Sequence, residues 1–210
     1  MKLTFYYDFS SPYAYLGATQ IERVAREHGG AEPSVEIEWR PILVGALFRR
    51  IGTPDVPLDS FTAPKRAYMA RDIQHWAGHW NVPFRWPSRF PMRTVAPLRL
   101  ALAAAEDAGD AVAVKLVHAT FAAYWVDDRD IGDVEVVRAL GVAAGLSAAT
   151  IDRALLPDPK IKQALIDSTE SAVNAGVVGV PTFIVGKQQF WGQDRLDLVA
   201  RVLDGWSPPG

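Results

Sequence analysis

The sequence has no cysteine in its 210 residues. This absence excludes disulfides, thiolate metal sites and a cysteine nucleophile at the same time. The chain also lacks the run of about 18 apolar residues that a membrane-spanning helix requires. Residues 1–3 lead directly into a strand-like segment, without the apolar region of a secretory signal. We therefore expect a soluble, cytoplasmic protein.

The sequence also lacks a large excess of charge of either sign. The formal net charge is -2, from 22 basic and 24 acidic residues, so no excess of positive charge points to nucleic acid or to an anionic membrane. Hydrophobic residues make up 49% of the chain, which is enough to bury a core without disulfides. The length suits one domain, or one domain with a large insertion.

The N-terminal segment predicts a β–α–β unit. Residues 3–7 form a short aromatic run that is typical of a buried central strand. Apolar residues then recur at helical spacing from Tyr13 to about Gly29, and residues 35–40 alternate as a second strand. Such a unit implies a right-handed crossover and a parallel pair of strands.

The rest of the chain predicts a helical block followed by a hairpin and a helix. Apolar residues follow helical periods from about 44 to 174, and strands return at 182–185 and 189–191, with a turn at Gly186-Lys187. A last helix is predicted from about Asp194 to Leu203. We predict an α/β protein with a thioredoxin-like fold, formed by residues 1–43 and 175–210, and a large all-helical insertion over 44–174. This insertion should cover the active face.

The candidate site begins at Ser11. Pro12 follows it and favours the first turn of a helix, where backbone N–H groups attract an anion. Ser11 alone is also explained as a simple N-cap. In a thioredoxin-like fold, however, a cis bond at Val180-Pro181 faces this helix and leaves backbone groups free to pair with an extended peptide. Since the chain has no cysteine, any thiol must arrive with that ligand.

A third element opens the last predicted helix. The segment Gly192-Gln193-Asp194-Arg195 offers backbone N–H groups and a carboxylate, which suit both charges of an amino-acid-like end. The alternative is that Asp194 only caps the helix.

These motifs carry a resemblance that runs over nearly the whole chain. The sequence resembles the 2-hydroxychromene-2-carboxylate isomerases, which belong with the kappa-class glutathione transferases and the DsbA-like thioredoxin families. The matching segments are Asp8-Phe9-Ser10-Ser11-Pro12-Tyr13, residues 41–48, Phe90-Pro91, Gly179-Val180-Pro181-Thr182-Phe183 and Phe190-Trp191-Gly192-Gln193-Asp194-Arg195-Leu196.

The resemblance implies that glutathione is the cofactor. Its sulfur would lie at Ser11, its cysteinyl backbone at Val180 beside Pro181, and its γ-glutamyl end at Gln193 and Asp194. The thiolate would add to a ring-opened conjugated pyruvate, allow rotation about the resulting single bond, and then leave. The resemblance also implies a homodimer.

The implied substrate is a small aromatic carboxylate, so a cation should meet it. The resemblance points to Arg49, with Arg50 as a further candidate and Lys65 at the glycyl end of glutathione. Each of these three is also explained as an ordinary surface charge.

Two positions depart from the family pattern. Thr53 and Arg93 stand where members usually carry Asn, and we expect both, with Tyr13, to line the substrate pocket and to alter its specificity.

A metal site is not expected. His75 and His79 share a helix face, but no third ligand accompanies them.

Two other functions stay open. One is a kappa-like glutathione transferase or peroxidase, and the other is a non-catalytic thioredoxin-like protein that binds peptides.

Overall fold

The fold is built around a four-stranded mixed sheet. A computed structural model describes residues 1–30, 35–54, 60–156 and 158–207. In this part of the chain the strands are β1 (Lys2–Tyr7), β2 (Glu36–Pro41), β3 (Thr182–Val185) and β4 (Gln188–Trp191), in the order β2-β1-β3-β4. β1 runs parallel to β2 and antiparallel to β3, and β4 is antiparallel to β3. The predicted parallel pair is therefore confirmed.

The helices lie as the sequence predicts, between β2 and β3 except for the first and the last. No helix within the described ranges is both long and apolar enough to cross a membrane. The thioredoxin-like fold with a helical insertion is confirmed. The helices are α1 (Pro12–Glu27), α2 (Val44–Ile51), α3 (Ala63–His79), α4 (Val95–Ala108), α5 (Asp110–Trp125), α6 (Val134–Ala143), α7 (Ala148–Leu155), α8 (Pro159–Asn174) and α9 (Leu196–Leu203).

The last helix starts later than predicted. Gln193–Arg195 forms a 3₁₀ turn, in which the Arg195 N–H donates to the Gly192 carbonyl at 3.2 Å, and α9 follows it. Because Arg195 is the residue before α9, Asp194 is not its N-cap. The interpretation of Asp194 as a plain helix cap is therefore wrong.

β1 is buried on both faces because it lies between β2 and β3 under the helices. The Phe5 ring stacks on Phe183 of β3 at 5.2 Å between centroids and meets the Trp39 edge at 5.1 Å. Further along, Tyr7 lies 5.9 Å from Phe121 of α5. This packing explains why the strand is continuously apolar instead of alternating.

Helix α8 ties the segment between β2 and α2 to the helical part of the molecule. The Ser168 hydroxyl donates to the Pro41 carbonyl at 2.7 Å, and the Leu43 N–H donates to the Thr169 hydroxyl at 3.1 Å. These bonds hold the end of β2 and the start of α2 against α8. They also cross the domain boundary that we predict after residue 43.

Candidate functional site

A hydrogen-bonded turn connects β1 to α1 and sets the position of Ser11. The Asp8 carboxylate accepts from both the backbone N–H and the hydroxyl of Ser10 at 3.0 Å, and the Ser11 N–H donates to the Asp8 carbonyl at 3.1 Å. From α5, the buried Trp125 indole donates to the Phe9 carbonyl at 2.9 Å. Short polar side chains favour such turns because they bond to backbone groups two residues on.

Ser11 has two partners. Its Oγ accepts from the Ala14 N–H at 3.1 Å, which makes it the N-cap of α1, and donates to the Val180 carbonyl at 3.2 Å. The Val180-Pro181 bond is cis, as predicted. Within the described residues, the N–H groups of Tyr13 and Val180 have no hydrogen-bond partner. The start of α1 and the adjoining Val180 therefore present one hydroxyl and two backbone N–H groups that have no partner among the described residues.

The 3₁₀ turn lies beside the cis-proline. The Gly192 N–H donates to the Pro181 carbonyl at 2.9 Å, and this bond brings Gln193 and Asp194 next to the start of α1. Gly192 has φ +108°, and a Cβ there would lie 2.4 Å from Asp194 Oδ1, so the position requires glycine. The exposed Asp194 also pairs with Arg195 at 2.6 Å.

Gln193 is buried, with 3% of its surface exposed. The bond between Gly192 and Pro181 places it beside the cis-proline.

Tyr13 is held between α1 and α3. Its hydroxyl donates to Asp72 Oδ2 at 3.1 Å. Burial raises the pKa of Tyr13 well above its ordinary value, and the nearby carboxylates of Asp72 and Asp194 raise it further. The phenol is thus a neutral donor at physiological pH.

A cavity of about 540 Å³ opens next to Ser10. Its walls come from the end of β1, the start of α2, residues 91–96, and helices α4 and α7. The exposed Arg93 is part of its lining, so this predicted residue lies at a pocket next to Ser10. The Phe90-Pro91 bond next to it is cis, which the sequence reasoning missed.

Asp8 lies in the wall of this cavity and is completely buried. Its Oδ2 accepts from the Val44 N–H at 2.9 Å and so caps α2, whose own N-cap residue supplies no side-chain bond. Burial raises the pKa of Asp8, while hydrogen bonds from Ser10, Val44 and Thr94 oppose that rise. Sequence reasoning gave Asp8 no role, although an acidic residue directly after a buried strand was the available signal.

Three other predicted residues lie elsewhere. Arg49 is exposed on the last turn of α2, and the Thr53 N–H donates to the Phe48 carbonyl at 2.8 Å. Lys65 Nζ lies over the Phe61 ring, 3.7 Å from its centroid. None of the three is among the described residues that line the cavity. Their assignment to ligands stays a prediction.

The remaining candidates have ordinary surface environments. Arg50 pairs with Glu170 at 2.9 Å. His75 and His79 are exposed, and His79 packs against Trp76. The described residues include no group of three side chains that could hold a metal ion.

Comparisons with known proteins cover almost the whole chain. A family model described as "DSBA-like thioredoxin domain" matches residues 2–204. The 2-hydroxychromene-2-carboxylate isomerase of Sphingobium xenophagum is 29% identical over 201 residues, which cover 96% of this chain and 97% of that protein. Glutathione S-transferase kappa 1 of Homo sapiens is 24% identical over 216 residues, covering 97% and 92%. A solved structure of a 2-hydroxychromene-2-carboxylate isomerase shares the fold, with a TM-score of 0.83 at 22% identity, covering 97% of this chain and 94% of that one.

Proposed function

The chain belongs to the family of DSBA-like thioredoxin domains, and on this basis we propose that it is a glutathione-dependent cis–trans isomerase of an aromatic carboxylate. The reaction interconverts 2-hydroxychromene-2-carboxylate and trans-o-hydroxybenzylidenepyruvate. One observation carries the proposal. The Ser11 hydroxyl bonds to the Val180 carbonyl beside a cis-proline, in a protein that has no cysteine.

Glutathione fits this site as a short extended peptide. Its cysteinyl backbone pairs with the Val180 N–H, which has no partner among the described residues. Its γ-glutamyl end reaches the buried Gln193 amide and the Asp194 carboxylate, which the bond between Gly192 and Pro181 holds nearby. Lys65 binds the glycyl carboxylate in this proposal.

Ser11 favours the thiolate form of the bound thiol. Its hydroxyl turns from the Val180 carbonyl to the sulfur, and the free Tyr13 N–H at the first turn of α1 adds a second donor. Hydrogen bonds to an anion, together with the positive end of a helix, lower the pKa of a thiol. Ser11 therefore acts as a donor and not as a nucleophile.

The thiolate then acts as a covalent catalyst. The hemiketal ring first opens: its C2–O bond breaks, the proton of the 2-hydroxyl passes to the phenol oxygen, and a conjugated ketone results. The thiolate adds to the carbon–carbon double bond conjugated with this ketone, and the electron pair moves onto the ketone oxygen as an enolate. The former double bond is now single and rotates. When the enolate collapses, the double bond re-forms and the thiolate leaves, so that no electron is gained or lost overall.

The substrate lies between the thioredoxin-like domain (residues 1–43 and 175–210) and the helical insertion (44–174) in this proposal. The cavity beside Ser10 supports this arrangement because its walls include Asp8, Ser10 and Leu43 of the thioredoxin-like domain as well as α2, α4 and α7 of the insertion. Tyr13 and Arg93 contribute to recognition, and Arg49 and Thr53 act from the end of α2.

The test is the absorbance change of 2-hydroxychromene-2-carboxylate with the protein, in the presence and absence of glutathione. We expect rapid conversion only when glutathione is present. Absence of conversion, beside direct binding of glutathione in a calorimetric titration, would refute this reaction while leaving the cofactor in place. Absence of glutathione binding would refute both.

A second candidate is a kappa-like glutathione transferase, which the human relative favours. Conjugation of glutathione to 1-chloro-2,4-dinitrobenzene distinguishes this activity, because it consumes glutathione whereas isomerisation does not.

We also propose a cytoplasmic homodimer, as the resemblance implies. The mass of the protein in solution tests the dimer.

A further inference from the structure

One side-chain nitrogen of Arg99 lacks a partner at the wall of the cavity, within the described part of the chain. Arg99 lies on α4 and lines the cavity beside Ser10. Its Nε is buried and has no hydrogen-bond partner among the described residues. A buried donor normally has an acceptor, because its lost hydration is otherwise not replaced. An acceptor brought by a ligand would fill this position.

The carboxylate of Asp8 does not serve as that acceptor. Asp8 lines the same cavity, but its two oxygens already take hydrogen bonds from Ser10, Val44 and Thr94. Its negative charge is therefore directed at α2 and at the turn before α1. The positive charges at the cavity are Arg99 in the wall and the exposed Arg93.

The rest of the lining indicates the shape of the ligand. It is mainly apolar, with contributions from Leu43, Met92, Val95 and Leu155. Volumes of about 300–1,000 Å³ are typical of small-molecule sites, and this cavity has about 540 Å³. An apolar pocket with a half-buried arginine, whose Nε is buried, suits a planar aromatic acid that carries a single carboxylate.

We propose that Arg99 is the residue that binds the substrate carboxylate. This inference rests on the proposed function and names its specificity-determining residue. Nε and one terminal nitrogen of the guanidinium donate in parallel to the two carboxylate oxygens, and the aromatic body lies against the apolar wall. The carboxylate is thereby anchored on α4, while the double bond extends towards Ser10 and the thiolate beyond it.

The test compares an acid with its ester in the wild-type protein and in Arg99→Met. The probes are cinnamate and methyl cinnamate, which share the conjugated double bond and differ in charge. Binding is measured by calorimetric titration without glutathione. Arg26→Met is the matched control, because Arg26 is an exposed arginine in the last turn of α1, outside the cavity lining.

We expect the wild-type protein and Arg26→Met to prefer the acid over the ester by about tenfold to a hundredfold, which is the usual effect of a charge-assisted hydrogen bond. In Arg99→Met this preference disappears, while the ester binds as before. Arg99→Lys recovers part of the preference, because it keeps the charge without the two parallel donors. An unchanged preference in Arg99→Met, or no binding of cinnamate to the wild type, would overturn the proposal.

A stability measurement distinguishes binding from a structural role. Since Nε has no partner in the described residues, its removal should leave the urea midpoint unchanged or raise it. A lower midpoint together with weaker binding of both probes would make Arg99 a structural residue and overturn the inference. The proposed reaction is tested separately, because the probe titrations require neither glutathione nor turnover.

Discussion

Replacing Ser11 with alanine removes two hydrogen bonds of different kinds. One is the cap that accepts from the Ala14 N–H, and the other is the bond donated to the Val180 carbonyl. The first bond stabilises α1 whatever the function of the protein, whereas the second marks the position where we propose that the thiolate lies. A matched control separates these effects. Ser147 caps α7 by accepting from the Thr150 N–H at 3.1 Å, the same distance as in the Ser11 cap.

The expected losses follow from these bonds. Loss of a serine N-cap costs about 0.5–2 kcal/mol, and loss of a neutral hydrogen bond costs about 0.5–1.5 kcal/mol. Ser11→Ala should therefore lower the free energy of unfolding by about 1–3.5 kcal/mol, and Ser147→Ala by a similar amount, because the Ser147 hydroxyl also bonds to the Thr150 hydroxyl at 2.9 Å. In a chain of 210 residues, each kcal/mol shifts the melting temperature by about 2–4 °C.

The functional effect should separate the two variants completely. We expect Ser147→Ala to keep wild-type turnover. In Ser11→Ala the pKa of the bound glutathione thiol rises towards its free value of about 8.5, and turnover at neutral pH falls by about tenfold to a hundredfold. The thiolate absorbance of bound glutathione, titrated against pH, measures the first effect. Wild-type turnover in both Ser11→Ala and Ser147→Ala would show that Ser11 is only a helix cap.

Two further predictions concern the 3₁₀ turn and the sheet edge. Gly192→Ala should weaken glutathione binding, measured by titration, because its Cβ would meet Asp194, whereas Gly205→Ala, at φ +91° in open space, should bind normally. Equal binding by both variants would contradict this role of the turn. Burial raises the pKa of Glu38, but hydrogen bonds from Arg40 and other side chains outweigh it and lower the pKa from 4.5 to about 2. Glu38 therefore stabilises the fold fully above about pH 4.5 and loses this effect as the pH falls to 2. The difference in urea midpoint between the wild type and Glu38→Gln should therefore disappear over that pH interval. A difference that stays constant with pH would contradict this role of Glu38.

The approach of Ser11 to Val180 could be predicted from the sequence, because the order of strands and helices along the chain places each residue next to a strand end. One comes directly after the first strand, and the other directly before the strand that pairs with it. Because β1 and β3 run antiparallel, the end of the first lies beside the start of the second. The fold was predictable for the same reason, since its periodic segments are long and separated by proline and glycine.

Arg99 and Asp8 were missed for a different reason. Arg99 stands in an alanine- and leucine-rich helix, where the sequence does not show which other segments will surround it. Its environment depends on α2, α7 and residues 91–96, which converge only in three dimensions. Asp8 caps a helix 36 positions away, and no local pattern predicts a cap at that distance.

The bond between Ser11 and Val180 also has a consequence for the order in which the molecule is completed during synthesis. The two residues are 169 positions apart, and β1 pairs with β3 close to the C-terminal end of the sequence. Until the ribosome has released that region, one edge of the aromatic strand β1 has no partner, although the intervening helices can already form through local contacts. The site therefore exists only after Val180 and β3 have been synthesised, and a truncated product that lacks β3 exposes an unpaired apolar strand instead of a partly active protein.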